Sequence, residues 1–151
     1  MSEQESGLET FRNRVPQWRL SGLVYFVTWR LMASHPPLAP AERALVASTL
    51  KHFHGERYRI YAYVVMDDHV HVLVQPLDEY QLSKILHSWK SFTANQLQRK
   101  SPRRGSIWQK DNYTHIIRDE EDFFQKAEYI LNNPRKRWPD NREYEWAEYI
   151  E

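Results

Sequence analysis

Two strand-like runs stand only two residues apart in this chain, and that spacing constrains the fold more than any other feature. Residues 59–66 read RIYAYVVM and residues 69–75 read HVHVLVQ, both rich in β-branched and aromatic side chains. Asp67 and Asp68 alone separate them, which is the length of a tight antiparallel hairpin. Around this hairpin the pattern predicts a further strand at 24–31 and a helix from Ala41 to about His54, opening after Pro40. A second helix is expected at 81–99, where Leu82, Ile85, Leu86, Trp89 and Leu97 recur at helical spacing. A loop at 101–106 leads to a short strand at 113–117. A last helix then runs from Glu120 to about Asn132, with Asp119 as its N-cap and Pro134 as its stop.

The order β-α-β-β-α-β-α implies an α+β domain close to a ferredoxin-like arrangement, with a central antiparallel sheet, helices on one face and a C-terminal helix bearing a tyrosine. Residues 1–22 read as a flexible N-terminal arm and 23–151 as a single domain. No cysteine is present, so thiolate metal sites are excluded. No apolar run is long enough to cross a membrane, and the polar N-terminus lacks a signal peptide's apolar stretch, so a cytoplasmic location is expected. The formal net charge is +1, but between Lys84 and Arg118 eight basic residues face one acid, Asp111. Such a block suits either a polyanion-binding surface or a solvated helix face with a basic loop.

Side chains two apart on a strand share a face. His69 and His71 therefore leave the hairpin together, opposite Val70, Val72 and Val74, close enough to grip one cation. Alone, a His-x-His is also an ordinary pair of half-buried strand histidines. His52 and His54 form a contrast, since residues two apart on a helix diverge by about 200°. In the last helix, Phe123, Phe124, Ala127, Ile130 and Leu131 make one apolar stripe. Tyr129 lies roughly 160° from its centre at about 100° per residue, on the polar face with Asn133 one turn on. Tyr129 reads either as a surface aromatic covering a loop or as a nucleophile on a rigid element. A phenol with an ordinary pKa near 10 attacks poorly at neutral pH, so it needs an activated electrophile. A metal held by the histidines, acting on a phosphate, describes phosphodiester transesterification through a tyrosyl intermediate. Tyr113, two residues from His115, is a competing nucleophile.

The runs VVMDDHVHVLVQP, WQKDNYTHIIRDEEDF and AEYILNNP, in that order, resemble the single-tyrosine HUH transposases, and most of all the REP-associated tyrosine transposases. The resemblance covers about residues 23–137. It implies that His69 and His71 are metal ligands, that Tyr129 is the catalytic tyrosine, and that Asn133 supplies a third ligand. It implies a divalent ion, Mg2+ or Mn2+, and cleavage of single-stranded DNA beside hairpins or palindromic repeats, leaving a 5′-phosphotyrosine and a free 3′-hydroxyl. Both monomers and homodimers fit it. One departure is Asp67, where proline commonly stands. Because magnesium prefers oxygen donors, the Asn133 carbonyl, phosphate oxygens and waters would have to complete the shell.

For the DNA surface the candidates are Lys90, Arg99, Lys100, Arg103, Arg104, Lys110 and Arg118 as phosphate contacts. Trp108 is a candidate base-stacking platform, and Trp89 fits the core of its helix. The Arg103-Arg104 turn is the leading candidate for a hairpin contact. Two other readings compete: a non-catalytic hairpin- or single-strand-binding protein derived from a transposase, and a metalloprotein without a nucleic-acid role.

Overall fold

The computed structural model describes residues 22–150. The arm expected at 1–22 therefore lies, apart from Gly22, outside the described residues. Eight elements follow in order: β1 (Tyr25–Arg30), α1 (Pro40–Lys51), β2 (Tyr58–Val65), β3 (His69–Pro76), α2 (Leu82–Lys100), β4 (Tyr113–Ile116), α3 (Glu120–Arg137) and β5 (Ala147–Tyr149). The strands form one antiparallel sheet in the order β4-β1-β3-β2-β5, which puts the histidine strand β3 at its centre.

The period-two pattern of β3 sorts its side chains into two cores. Val70, Val72 and Val74 pack with Val27 and Trp29 against Val46, Leu50, Ile85 and Trp89, beneath α1 and α2. Leu73 faces the other way and packs with Phe26, Val64, Phe123 and Ile130 beneath α3. Two helices thus cover one face and the tyrosine-bearing helix covers the other. β2 keeps both faces apolar by a bulge: Ile60 pairs with Val74 and Ala62 with Leu73, leaving Tyr61 as the extra residue. The bulge turns Tyr61 and Ala62 to the α3 side, where the Tyr61 hydroxyl donates to buried Gln75 Oε1 at 2.8 Å.

The hairpin turn is held from outside as well. Leu38 N–H donates to the Asp67 carbonyl at 2.7 Å and Leu31 N–H to the Asp68 carbonyl at 2.9 Å. Asp119 caps α3 by accepting from Asp122 N–H at 2.8 Å, and the first-turn acids and last-turn bases complement the helix dipole.

Two sequence expectations need correction. α3 does not stop at Pro134 but continues to Arg137, with Trp138 N–H bonded to the Pro134 carbonyl at 2.7 Å. A proline removes one ladder bond and crowds the preceding turn, and here the following turn is held by Arg137, which bonds back to the hairpin. β5 was not foreseen. It is three residues long and pairs with β2 through Ala62–Val64, too short to show alternation.

Candidate active site

β3 delivers His69 and His71 beneath the polar side of α3. Pairing register puts His71 opposite Thr28 of β1, and their side chains bond, Thr28 Oγ1 to His71 Nδ1, at 2.7 Å. His71 is only 3% exposed and stacks on Phe26 at 5.4 Å between ring centroids. Burial, with smaller contributions from neighbouring His69 and Arg30, pushes its pKa down to about 3, so the imidazole is neutral at physiological pH. Its Nε2 is buried and has no hydrogen-bond partner. When Nδ1–H donates to Thr28, that orphan nitrogen carries a lone pair, the form in which histidine ligates metals.

His69 is oriented by its neighbours on both sides. Asp68 Oδ1 lies 2.6 Å from His69 Nδ1. A carboxylate only accepts, so the Nδ1 proton points to Asp68. Burial alone would raise Asp68. The His69 hydrogen bond and the charges of His69, Arg137 and Arg30 outweigh it and hold the carboxyl below its ordinary value. On the other edge of the ring, Nε2 stands 3.2 Å from Asn133 Oδ1. Where His69 Nε2 carries no proton, the two atoms face each other as lone pairs that a shared cation would satisfy. Among the described residues no group of three or more histidine, cysteine, aspartate or glutamate side chains is arranged to hold a metal. The donor set at hand is instead His69 Nε2, His71 Nε2 and Asn133 Oδ1. The buried orphan nitrogen of His71, beside the His69–Asn133 contact, fits a cation.

Tyr129 completes the cluster. Its ring meets His71 edge-on at 5.2 Å and Phe26 at 6.0 Å, yet it stays 41% exposed. Asn133, one turn along, is 8% exposed. Tyr129 and His71 border an open cleft of about 760 Å³. Tyr113 borders the same cleft, and its ring contact is with Phe26, at 6.3 Å. Arg30, Lys126 and Asp111 also line it, Lys126 being paired with Asp122 at 3.0 Å.

The basic surface is rearranged relative to expectation. Arg103 is buried, with Nε and Nη2 on the Glu42 carboxylate at 2.6 and 2.9 Å and its remaining donors on the Pro36 and Pro37 carbonyls. It clasps the loop before α1 to the loop after α2, so a hairpin contact from Arg103 is corrected to a structural ion pair. Trp108 is buried too, bonded through Nε1 to Thr93 Oγ1 at 2.9 Å and packed edge-on to Trp29, so it offers no face for base stacking. Lys90 Nζ donates to the Gln109 and Lys110 carbonyls and to Asn112 Oδ1, which pins the segment entering β4. Arg99, Lys100, Arg104, Lys110 and Arg118 remain exposed.

Sequence reasoning missed Phe26, Thr28 and Arg30, whose places depend on strand pairing; Lys126 is expected on or near the polar face of its helix with Tyr129, and helix docking brings it to the cleft. Asp122 was missed as well. This buried carboxylate accepts from His115 Nε2 at 2.8 Å, Arg118 N–H at 3.0 Å and Lys126 Nζ at 3.0 Å, tying the start of α3 to the end of β4. These partners overcome the effect of burial and hold its carboxyl well below the usual range.

A histidine pair on the central strand of an antiparallel sheet thus faces a tyrosine on the covering helix. Residues 38–133 match the family model described as Transposase IS200 like, and the chain belongs to that family. An uncharacterized protein of Haemophilus influenzae is 26% identical over 98 residues, half of this chain, and this chain spans 54% of that relative's length. Among solved structures, a REP-associated tyrosine transposase bound to a REP hairpin superposes with a TM-score of 0.67 at 20% identity, covering 89% of this chain and 81% of that one. A protein described as a transposase from Deinococcus radiodurans gives a TM-score of 0.54 at 20% identity, covering 73% and 89%. At these identities the two structures establish the fold.

Proposed function

We propose that this chain is a metal-dependent single-stranded DNA endonuclease and strand transferase that cuts near hairpins through a 5′-phosphotyrosine intermediate. The observation that carries the proposal is the convergence of the Tyr129 ring, the orphan Nε2 of His71 and the His69–Asn133 contact beside one cleft lined by Arg30 and Lys126. The hairpin-bound relative supports the choice of substrate.

In this reading Tyr129 Oη attacks the scissile phosphorus. The bond from phosphorus to the 3′-oxygen breaks, that oxygen takes a proton, and the 5′ end stays esterified to the tyrosine. A second 3′-hydroxyl reverses the step and frees the phenol, so joining needs no outside energy source. A divalent ion, Mg2+ or Mn2+, held by His69, His71 and Asn133, would neutralise charge on a phosphate oxygen and polarise it. Arg30 and Lys126 hold the phosphodiester in the cleft, and exposed Lys110, Arg118, Arg104, Arg99 and Lys100 bind flanking phosphates. Among the described residues no helix is long and apolar enough to cross a membrane.

The test is incubation of the full chain with a labelled single-stranded hairpin oligonucleotide and manganese, followed by denaturing electrophoresis. A denaturation-resistant protein–DNA adduct is expected, lost in Tyr129→Phe and in His69→Ala. An adduct that persists in Tyr129→Phe would reassign the nucleophile, with Tyr113 next in line. Hairpin binding with no adduct in any substrate would make the chain a non-catalytic binding protein.

A further inference from the structure

We propose that Arg137 is a positioning residue that couples the docking of the tyrosine helix to the orientation of His69. The proposal rests on the reading of His69 as a metal donor. Tyr129, Asn133 and Arg137 are spaced by four residues on α3 and so share one helical face. The first presents its ring to His71, the second its carbonyl to His69, and the third reaches the hairpin turn.

There the contacts form a chain. Arg137 Nη2 donates to Asp67 Oδ2 at 3.0 Å, and Nη1 lies 3.7 Å from Asp68 Oδ2. The same Asp68 carboxylate takes the His69 Nδ1 proton with its other oxygen at 2.6 Å. The Asp68 carboxylate thus lies within ion-pair reach of an arginine on one side and bonds a candidate metal ligand on the other. A carboxylate bonded to a ligating histidine fixes its tautomer and raises its basicity, and such outer partners govern affinity. Asp67 and Asp68 are themselves immobilised through their backbone carbonyls, bonded to Leu38 and Leu31. The guanidinium therefore bears on a fixed turn.

The 3.0 Å bond to Asp67, a side chain 14% exposed, helps hold the helix on the turn, whereas Arg137 and Asp68 are both about two-fifths exposed and exposed ion pairs contribute little to stability. What the contact does is geometric. Undocking the last two turns of α3 would withdraw the phenol, the Asn133 carbonyl and the brace on His69 together. The centre assembles as one unit or not at all.

The experiment uses the full chain without DNA, in wild type, Arg137→Gln and Arg137→Lys. Manganese binding is titrated by electron paramagnetic resonance of the free ion, and the His69 ring nitrogens are read by 15N NMR without metal. Arg137→Gln is expected to weaken manganese binding by roughly 10- to 100-fold and to disturb the His69 Nδ1–H tautomer, with Arg137→Lys intermediate. Unchanged affinity and an unchanged His69 spectrum in Arg137→Gln would overturn the proposal. Should Arg137→Gln misfold by circular dichroism, Asp68→Asn breaks the same chain at its middle link and is held to the same outcomes. If the wild type binds no manganese but the His69 spectrum still responds to Arg137→Gln, the metal reading fails while the positioning role stands.

Discussion

Replacing Arg103 with glutamine separates a DNA-contact role from a structural one at the residue where sequence and structure disagree most. The wild-type guanidinium makes a two-pronged bond to Glu42, at 2.6 and 2.9 Å, and caps two carbonyls at 2.8 and 3.0 Å. The Arg103 hydrogen bond, helped by those from Ala39 N–H and Ser101, outweighs burial and lowers the Glu42 carboxyl from 4.5 to about 2. That difference corresponds to about 3 kcal/mol at neutral pH. Allowing for solvent screening at a side chain 13% exposed, about 2 kcal/mol is the reasonable cost of the substitution. For a domain of this size this lowers Tm by roughly 4–8 °C. The sign with pH follows from the lowered carboxyl. Its stabilisation is complete above the unfolded value near 4.5 and is lost as pH falls toward 2. The Arg103→Gln deficit should therefore be full at pH 7 and shrink toward pH 3. Thermal melts at both pH values and hairpin binding by fluorescence anisotropy across salt concentrations are the assays. A variant as stable as wild type at pH 7, but with weaker hairpin binding and a shallower salt dependence, would refute the assignment and return Arg103 to the DNA surface.

Two further substitutions probe the floor of the site. Thr28→Val keeps the side-chain shape but leaves the buried His71 Nδ1 without a partner. It should cost about 1–3 kcal/mol in a urea melt and weaken manganese binding by roughly 10-fold or more; unaltered binding would show that Thr28 does not set the His71 tautomer. Asp122→Asn removes the charge that His115, Lys126 and the Arg118 N–H converge on. A loss of about 2–3 kcal/mol is expected, read as a lower urea midpoint, and a midpoint equal to wild type would mean that water replaces the carboxylate there.

The parts of the fold visible in the sequence were those written in local periodicity. The Asp67-Asp68 turn, the all-valine face of β3 and the apolar stripe of α3 each announce themselves within one element, and each is found where expected. What escaped was whatever depends on one element meeting another. Thr28 joins His71 only because β1 pairs with β3 in that register, and no local signal in β1 marks it. The Tyr61 bulge is a response to two cores competing for consecutive residues of β2. Pro134 was misread because a local rule gives a proline's cost without the tertiary contact that follows it. Arg137 lies beyond the expected stop, so its link to the hairpin stayed hidden as well.

Charge along the chain is a weaker guide than charge in space, and the cleft shows why. The block from Lys84 to Arg118, whose bases outnumber its acids, suits by charge alone either a nucleic-acid surface or a solvated helix face with a basic loop. Folding spends two of those cations internally, Arg103 on Glu42 and Lys90 on backbone carbonyls and Asn112. The cations that line the cleft beside Tyr129 come from elsewhere. Arg30 ends β1, far upstream, and Lys126 lies in the segment where acids predominate. Lys126 is held there by Asp122, one of those acids, at 3.0 Å. An acidic residue four positions before a base on one helix face reads in sequence as simple neutralisation. In this chain the buried carboxylate fixes the ammonium at the rim of the cleft, so the pair decides where that cation stands, which a count of charges along the sequence does not show.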